Sequence, residues 1–302
     1  MELSTGHASD DRWSLGSATV ADRVVGVLGG GLVDPTAPLV RADDLGVLRG
    51  DGCFESMLVI DGDIVALPAH LARLARSAAS LELPAPDQSA WRELARRVTT
   101  AWGRDGEAVL RLILTRGPEG GPTEGGPTGF AIVGPLPPDT LRQREHGVHV
   151  LALSRGLPSG LAGSAPWLLA GVKTLSYAVN MAALRHARSC GADDVIMTSA
   201  EGRVLEGPTS TVLWAVGDTL HTIPSAEPIL AGTTIDELFG AAPGLGLRTA
   251  LTTATVPDLL AADGAWLISS IRRVAAVRSL DGRPLPDCPL DETIRGVLLR
   301  GT

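Results

Sequence analysis

Apolar and polar positions along this chain change rhythm often, and no single period runs through it. From residue 24 the stretch VVGVLGGGLV is almost continuously apolar and strand-like. Gly29, Gly30 and Gly31 within it do not match GxGxxG and read as a turn. After the loop PTAPLVRADD comes LGVLRGDGCFESMLVIDGDIVAL, read as strands whose apolar runs flank Asp61-Gly62, a hairpin signal. From Pro68 the spacing turns helical, with Leu71, Leu74 and Ala75 on one face and arginines on another. A second helix is predicted over 88–101, and VLRLILTRG (109–117) is a strong strand. It runs into a Gly/Pro-rich stretch, 117–129, that has no means of packing and reads as a mobile loop. FAIVGPLPPD then gives a strand and a Pro-rich connector.

The second half opens on strand VHVLAL and an irregular run to Trp167. Residues 174–189 are predicted helical, with Leu175, Val179, Ala182, Ala183 and His186 at helical intervals. Strands DVIMTSA, RVLEG, STVLWAV and LHTI follow, with turns at Glu201-Gly202 and Gly217-Asp218. IDELFGAA reads as a helix with an acidic first turn, and TVPDLLAAD, AWLISS and VAAVRSLDGRPL complete a mixed set. Strands and helices without regular βαβ alternation predict an α+β fold. The expected organisation is a loose tail (1–22), a small domain (23–134), a linker (135–141) and a larger domain (142–302), because Pro-rich connectors mark boundaries.

Composition narrows the function classes. A chain of 302 residues with 44% hydrophobic content can bury a sizeable core. Its net charge of −8 argues against a nucleic-acid surface. No run of about 18 apolar residues suggests a membrane span, and the polar, acidic start lacks a signal peptide's apolar core. Cys53, Cys190 and Cys288 are odd in number and widely spaced, as expected of buried thiols in a reducing cytoplasm without disulfides or a CxxC metal site. No histidine pairs with Cys, Asp or Glu at metal-ligand spacing, so no metal is expected.

One bias changes the picture. Lys173 is the only lysine, and the only tyrosine, Tyr177, and the only asparagine, Asn180, follow it in KTLSYAVN. An Arg-, Ala- and Gly-rich coding bias explains their rarity but not their clustering. Arginine supplies charge almost anywhere, yet it cannot supply a deprotonatable primary amine. Lys173 is therefore a candidate for Schiff-base chemistry. Glu206, at a strand end before a Gly-Pro turn, could keep a pyridine ring protonated. Gly232, Thr233 and Thr234 offer hydroxyls and N–H groups at a helix start, a ready phosphate site. Arg73 could bind that phosphate bidentately, and Ser269 and Ser270 add hydroxyls at a strand end. Each has a plainer reading alone: Glu206 a solvated carboxylate, Gly-Thr-Thr a helix cap, Arg73 and Arg76 a solvated helix face.

Taken in order along the chain, RGDGCFES, PAHLARLARSA, GVKTLSYAVNM, VLEGPTSTVLW, ILAGTT and WLISSIRRV resemble the class IV pyridoxal-phosphate aminotransferase family, from about residue 25 to 285. That family includes branched-chain and D-amino-acid aminotransferases and 4-amino-4-deoxychorismate lyase. The resemblance implies two α+β domains, a small N-terminal α/β sandwich and a larger barrel-like one, with pyridoxal 5'-phosphate between them. It also implies a homodimer whose partner lends a loop to the pocket. Lys173 would carry the cofactor, Tyr177 would meet its phenolic oxygen and Glu206 its ring nitrogen. Arg73, Gly232, Thr233, Thr234 and Ser270 would hold the phosphate, beside Ser210 and Thr211. Thr211 stands where the family usually has Asn, Arg49 where many relatives are aromatic, and Arg273 where Glu is typical. Arg49, with Arg111 and Arg116, is a candidate for binding a substrate with more than one carboxylate; for Arg111 the plain alternative is an outward-facing strand residue. The implied activity is aminodeoxychorismate lyase, with D-amino-acid or branched-chain transamination as alternatives. A cofactor-binding protein without turnover is the competing class, and it would not need both Lys173 and Glu206. The loop 117–129, following Arg116, is expected near the pocket mouth.

Overall fold

The computed structural model describes residues 22–120 and 125–299. All of the expected tail but Asp22, and the centre of the Gly/Pro stretch at 121–124, lie outside the described residues. The first half comprises β1 (Val24–Val27), β2 (Leu32–Val33), a short helix α1 (Leu45–Arg49), β3 (Gly52–Ile60) and β4 (Asp63–Ile64). Helices α2 (Leu67–Ser80) and α3 (Gln88–Trp102) follow, then β5 (Glu107–Thr115) and β6 (Gly129–Pro135). The strands form one antiparallel sheet in the order β2-β1-β6-β5-β3-β4.

Strand alternation decides what this sheet shows to each side. Cys53, Met57 and Val59 of β3 and Leu110, Leu112 and Leu114 of β5 pack with Leu71 and Leu74 of α2 and Trp91, Leu94 and Val98 of α3. A side-chain period of two then sends Phe54, Ser56 and Arg111 to the opposite face, where Ser56 pairs directly with Arg111. Residues 45–49, expected to be strand, are instead the helix α1. Asp44 caps it by accepting from the Gly46 N–H at 2.7 Å, and Gly50 ends it at φ 68°.

The second half begins with α4 (Asp139–His146), which starts inside the stretch read as a connector. Then come β7 (Val148–Ser154), α5 (Ala178–Ser189), β8 (Asp194–Thr198), β9 (Thr211–Val216) and β10 (Thr219–Thr222). The chain continues through α6 (Thr233–Ala241), β11 (Arg248–Leu251), α7 (Val256–Leu260), β12 (Gly264–Ser269), β13 (Arg273–Leu280), β14 (Arg283–Pro284) and α8 (Leu290–Leu298). Its sheet runs β11-β10-β9-β12-β13-β7-β8, with β14 on β13 and parallel steps at β10/β11, β13/β7 and β7/β8.

This sheet is apolar on both faces, which is why AWLIS and VAAV read as continuous runs. Val212, Trp214, Leu267 and Ala275 fill one side, while Leu213, Trp266, Ile268 and Val274 pack towards α6 and α8 on the other. Arg144 of α4 joins the two sheets. It donates to Glu107 of β5 at 2.6 and 2.8 Å and to the carbonyls of Ile271 and Arg272, in the β12–β13 turn, at 2.7 and 2.9 Å. Among the described residues no helix is long and apolar enough to cross a membrane.

The helix expected over 174–189 begins only at Ala178. The residues before it are held extended against β3: the Phe54 N–H donates to the Lys173 carbonyl at 3.1 Å, and Leu175 N–H donates to Gly52 at 2.8 Å. The buried stripe of α5 is Leu184 and Ala187, while Val179 is exposed. Of the cysteines, all free, Cys53 is buried but Cys190 is exposed, contrary to the expectation of buried thiols.

Candidate active site

A cavity of about 540 Å³ lies where the first sheet's open face, the Lys173 segment and the ends of β9, β12 and α6 meet. Lys173, Arg73, Tyr177, Glu206, Ser210, Thr211, Gly232, Thr233, Thr234, Ser270 and Arg111 all line it. Residues as far apart in the chain as Phe54 and Arg272 share one chamber, where the 173–175 segment is stitched to β3 as an isolated antiparallel bridge, Cys53 to Thr174.

Lys173 Nζ sits 4.4 Å from the Phe54 ring centroid and 3.5 Å from Tyr177 Oη. Phe54 and Tyr177 meet edge to face at 5.2 Å, forming an aromatic wall beside the amine. Burial brings the Lys173 pKa down to about 8; nearby Glu55 and Glu206 oppose this and Arg73 reinforces it. Tyr177 is pushed up to about 12, first by burial and then by Glu206, so its hydroxyl stays protonated. Glu206 is raised to about 7 by burial, although the Leu230 N–H donates to it at 2.9 Å and Arg155 Nη1 at 3.1 Å. Asn180 Nδ2 donates to the Pro208 carbonyl at 2.7 Å and so ties the start of α5 to the turn that follows Glu206.

The opposite end is built for an anion. The helix α6 starts at Gly232 without a side-chain cap, leaving its first N–H groups free. Thr233 Oγ1 and Thr234 Oγ1 lie 3.4 and 3.3 Å from Ser270 Oγ, making a crown of hydroxyls. A Cβ at Gly232 would come within 2.5 Å of Thr211 Oγ1, so the backbone approaches that hydroxyl as only glycine permits. Ser210 Oγ is buried with no hydrogen-bond partner. An amine, a carboxyl, an orphaned hydroxyl and an uncapped helix start around one chamber fit pyridoxal phosphate.

Sequence reasoning and structure part at several residues. Arg73 is buried, not on a solvated face, and its two-pronged side is spent on Glu55, with Nε at 2.7 Å and Nη2 at 2.8 Å. Its Nη1 donates to the Ala231 carbonyl at 2.9 Å, so the guanidinium side expected to grip a phosphate bidentately is occupied by Glu55 in this structure. Arg49 and Arg116 are not brought to the cavity. Arg49 lies 69% exposed by Glu119, and Arg116 is held by Asp51 at 2.6 Å and by the Leu81 carbonyl at 2.6 Å. The described part of the Gly/Pro loop packs back on residues 43–45, through Glu119 N–H to the Asp43 carbonyl and Leu45 N–H to that of Gly117, and lines none of the cavity. Sequence reasoning missed Arg155, Glu55 and His70. The one available signal was Glu55 itself, a carboxylate at a core position of an otherwise apolar strand face.

Residues 52–280 match the family model for class IV amino-transferases. The chain belongs to this family. A relative from Mycobacterium tuberculosis, named bifunctional aminodeoxychorismate lyase / D-amino acid transaminase, is 45% identical over 278 residues, covering 89% of this chain and 95% of the relative. Solved structures of a hypothetical aminotransferase from the same organism superpose closely. The PLP-bound form has TM-score 0.88 at 44% identity, covering 91% of this chain and 97% of that one. The form holding alpha-ketoglutarate and PMP has TM-score 0.88 at 43% identity, covering 92% and 100%. This class IV aminotransferase is a pyridoxal-phosphate-dependent enzyme with the fold type IV architecture.

Proposed function

We propose that the protein is a lyase that converts 4-amino-4-deoxychorismate to 4-aminobenzoate and pyruvate. The observation that carries this reading is Arg111. It lines the cavity on the same sheet face as Phe54, and among the described residues no carboxylate pairs with it. An unpaired guanidinium in a chamber that already holds an amine and a phosphate crown suits a substrate with an extra carboxylate. Aminodeoxychorismate carries two. The lyase activity in the name of the M. tuberculosis relative supports the same choice.

When bound, pyridoxal phosphate supplies an aldehyde for the substrate amine and a ring that accepts electron density. Lys173 Nζ, neutral above about pH 8, takes the proton from the ring carbon that bears the substrate's amine. Glu206, raised by burial to about 7, would sit against the pyridine nitrogen and could hold or return a proton there. Tyr177 keeps its proton and would donate it in a hydrogen bond to the cofactor's phenolic oxygen. The proton held on Lys173 passes to the departing three-carbon unit, so pyruvate leaves and the remaining ring becomes aromatic.

D-amino-acid transamination on the same lysine is the second reading. It rests on the transaminase activity in the relative's name and on the alpha-ketoglutarate, another dicarboxylate, in the solved neighbour. A homodimer belongs to the proposal too. Val47, Leu48, Trp167, Leu168, Val179 and Met181 are exposed large apolar residues, and Leu168 and Met181 line the cavity. A cytoplasmic location completes it, consistent with free Cys53, Cys190 and Cys288. Supplying aminodeoxychorismate should yield 4-aminobenzoate and pyruvate in equal amounts, and Lys173→Ala should abolish both. Keto-acid exchange between D-alanine and 2-oxoglutarate, with no 4-aminobenzoate from the first assay, would replace the lyase with the transaminase.

A further inference from the structure

Strand β3 turns Phe54 to the cavity and its other face to α2, where it buries a carboxylate among apolar neighbours. Glu55 is wholly buried. Besides the two prongs of Arg73, it meets His70 Nδ1 at 2.7 Å from its Oε2. Burial would raise the Glu55 pKa, but the bonds from Arg73 and His70 bring it to about 2, so it is ionised and can only accept. His70 Nδ1 must therefore carry a hydrogen, and this fixes the ring's tautomer. The other nitrogen, Nε2, points out of the core, 3.3 Å from Thr233 Oγ1 and 3.3 Å from Ser270 Oγ.

Two hydroxyls thus compete for one nitrogen at the place where an anion is expected. A neutral imidazole offers a lone pair at Nε2, which draws a hydroxyl hydrogen away from the cavity. An imidazolium offers an N–H instead, leaving both hydroxyls free to donate to an anion. The charges facing the ring decide between these states. Burial lowers the His70 pKa; Glu55 on β3 opposes that, while Arg73 on α2 and Lys173 across the cavity add to it. A dianion at the crown reverses the balance, because it supplies the countercharge that the protonated ring lacks.

We propose that His70 is a positioning residue for the cofactor phosphate, neutral in the empty site and taking one proton from solvent when the phosphate seats. Its Nε2–H then donates to a crown hydroxyl, and the Thr233 and Ser270 hydroxyls turn to the anion. The inference rests on the reading of the crown as the phosphate site. No other bond forms or breaks.

Isothermal titration of the cofactor-free protein with pyridoxamine phosphate tests this, run at pH 8 in buffers of different ionisation heat. At that pH the free phosphate is already a dianion, its second pKa being about 6. Pyridoxamine phosphate has no aldehyde to join to Lys173, so the buffer dependence counts protons taken up on binding. Wild type should take up about one proton more than His70→Gln, and the variant should bind about tenfold to a hundredfold more weakly, as for loss of one charge-assisted hydrogen bond. Equal proton counts in the two proteins overturn the role of His70 and leave the cofactor reading intact. Absence of binding by wild type sinks both. Should His70→Gln not fold, imidazole ¹⁵N spectra of wild type decide alone: one histidine must become doubly protonated as the ligand is added, and no such change refutes the proposal.

Discussion

At the scale of the residue, the decisive feature is an amine whose charged form is disfavoured by its surroundings. An ordinary lysine stays charged to about pH 10.4, whereas burial takes Lys173 to about 8. Below that value the amine is protonated and unreactive, so its reactivity rises as pH rises and levels off once it is neutral. Being the only lysine, it can be followed by the mass of the peptide that carries it, apart from the N-terminal amine, after acetic anhydride treatment of the cofactor-free protein. The modification rate should climb about tenfold per unit from pH 6 to 8 and then flatten; a rate still climbing at pH 10 would mean an unshifted amine. Arg111 makes a second prediction. Arg111→Met should raise KM for 2-oxoglutarate about tenfold to a hundredfold, the cost of one charge-assisted bond, while leaving that for pyruvate nearly unchanged. Equal losses for both keto acids would show that Arg111 does not read the distal carboxylate. Lys173, Glu206 and the Gly-Thr-Thr crown were legible because each requires a residue type that others cannot imitate. Arg49, Arg111 and Arg116 were not separable in the same way. Only strand parity and the positions of Asp51 and Glu119 decide which guanidinium faces the cavity, and those are properties of the folded sheet.

At the scale of the element, hydrophobic period located β3, α2, α3 and β5 because each has one face on a core and one away from it. The same reasoning misread residues 45–49 and 174–177, where backbone partners distant in sequence outweigh local pattern. In α1 the deciding partner is Asp44. Besides capping Gly46, its buried carboxylate accepts from Thr115 Oγ1 at 2.9 Å and from Thr128 Oγ1 at 2.7 Å, so it joins the helix to both ends of the Gly/Pro loop. Gly50 ends that helix in the left-handed region at φ 68°, and a Cβ there would also lie 2.6 Å from Ser176 Oγ, in the segment that carries Lys173. Asp44→Ala takes the acceptor from the buried Thr115 hydroxyl and from the half-buried Thr128 hydroxyl and Gly46 N–H, and should cost about 2–3 kcal/mol of folding stability. Chemical denaturation should show the midpoint falling with an unchanged slope. A loss under about 0.5 kcal/mol, the level of an ordinary surface change, would mean that α1 holds without its cap.

At the scale of the whole molecule, the active site lies at the edge of a surface that looks unfinished for a lone chain. Trp167 is 74% exposed, and Val47, Leu48 and Val179 are more than half exposed. They belong to segments already joined near the cavity: Ser176 Oγ, just before α5, donates to the Gly50 carbonyl at the end of α1 at 3.2 Å, and Leu168 and Met181 line the chamber. Soluble monomers rarely leave so many large apolar side chains beside one opening, so a second copy is the expected cover. Sedimentation should then give twice the monomer mass of 31.2 kDa at micromolar concentration. Placing a carboxylate on each flank, as Val47→Asp with Val179→Asp, leaves the buried core untouched and puts like charges into the covered face. The double variant should sediment as a monomer and keep its unfolding midpoint when corrected for lost association. Because the covered face adjoins the cavity, turnover should fall by more than tenfold even with cofactor bound. A double variant that remains dimeric at full activity would show that these side chains face solvent in the working enzyme, and the opening of the cavity would then be complete within one chain.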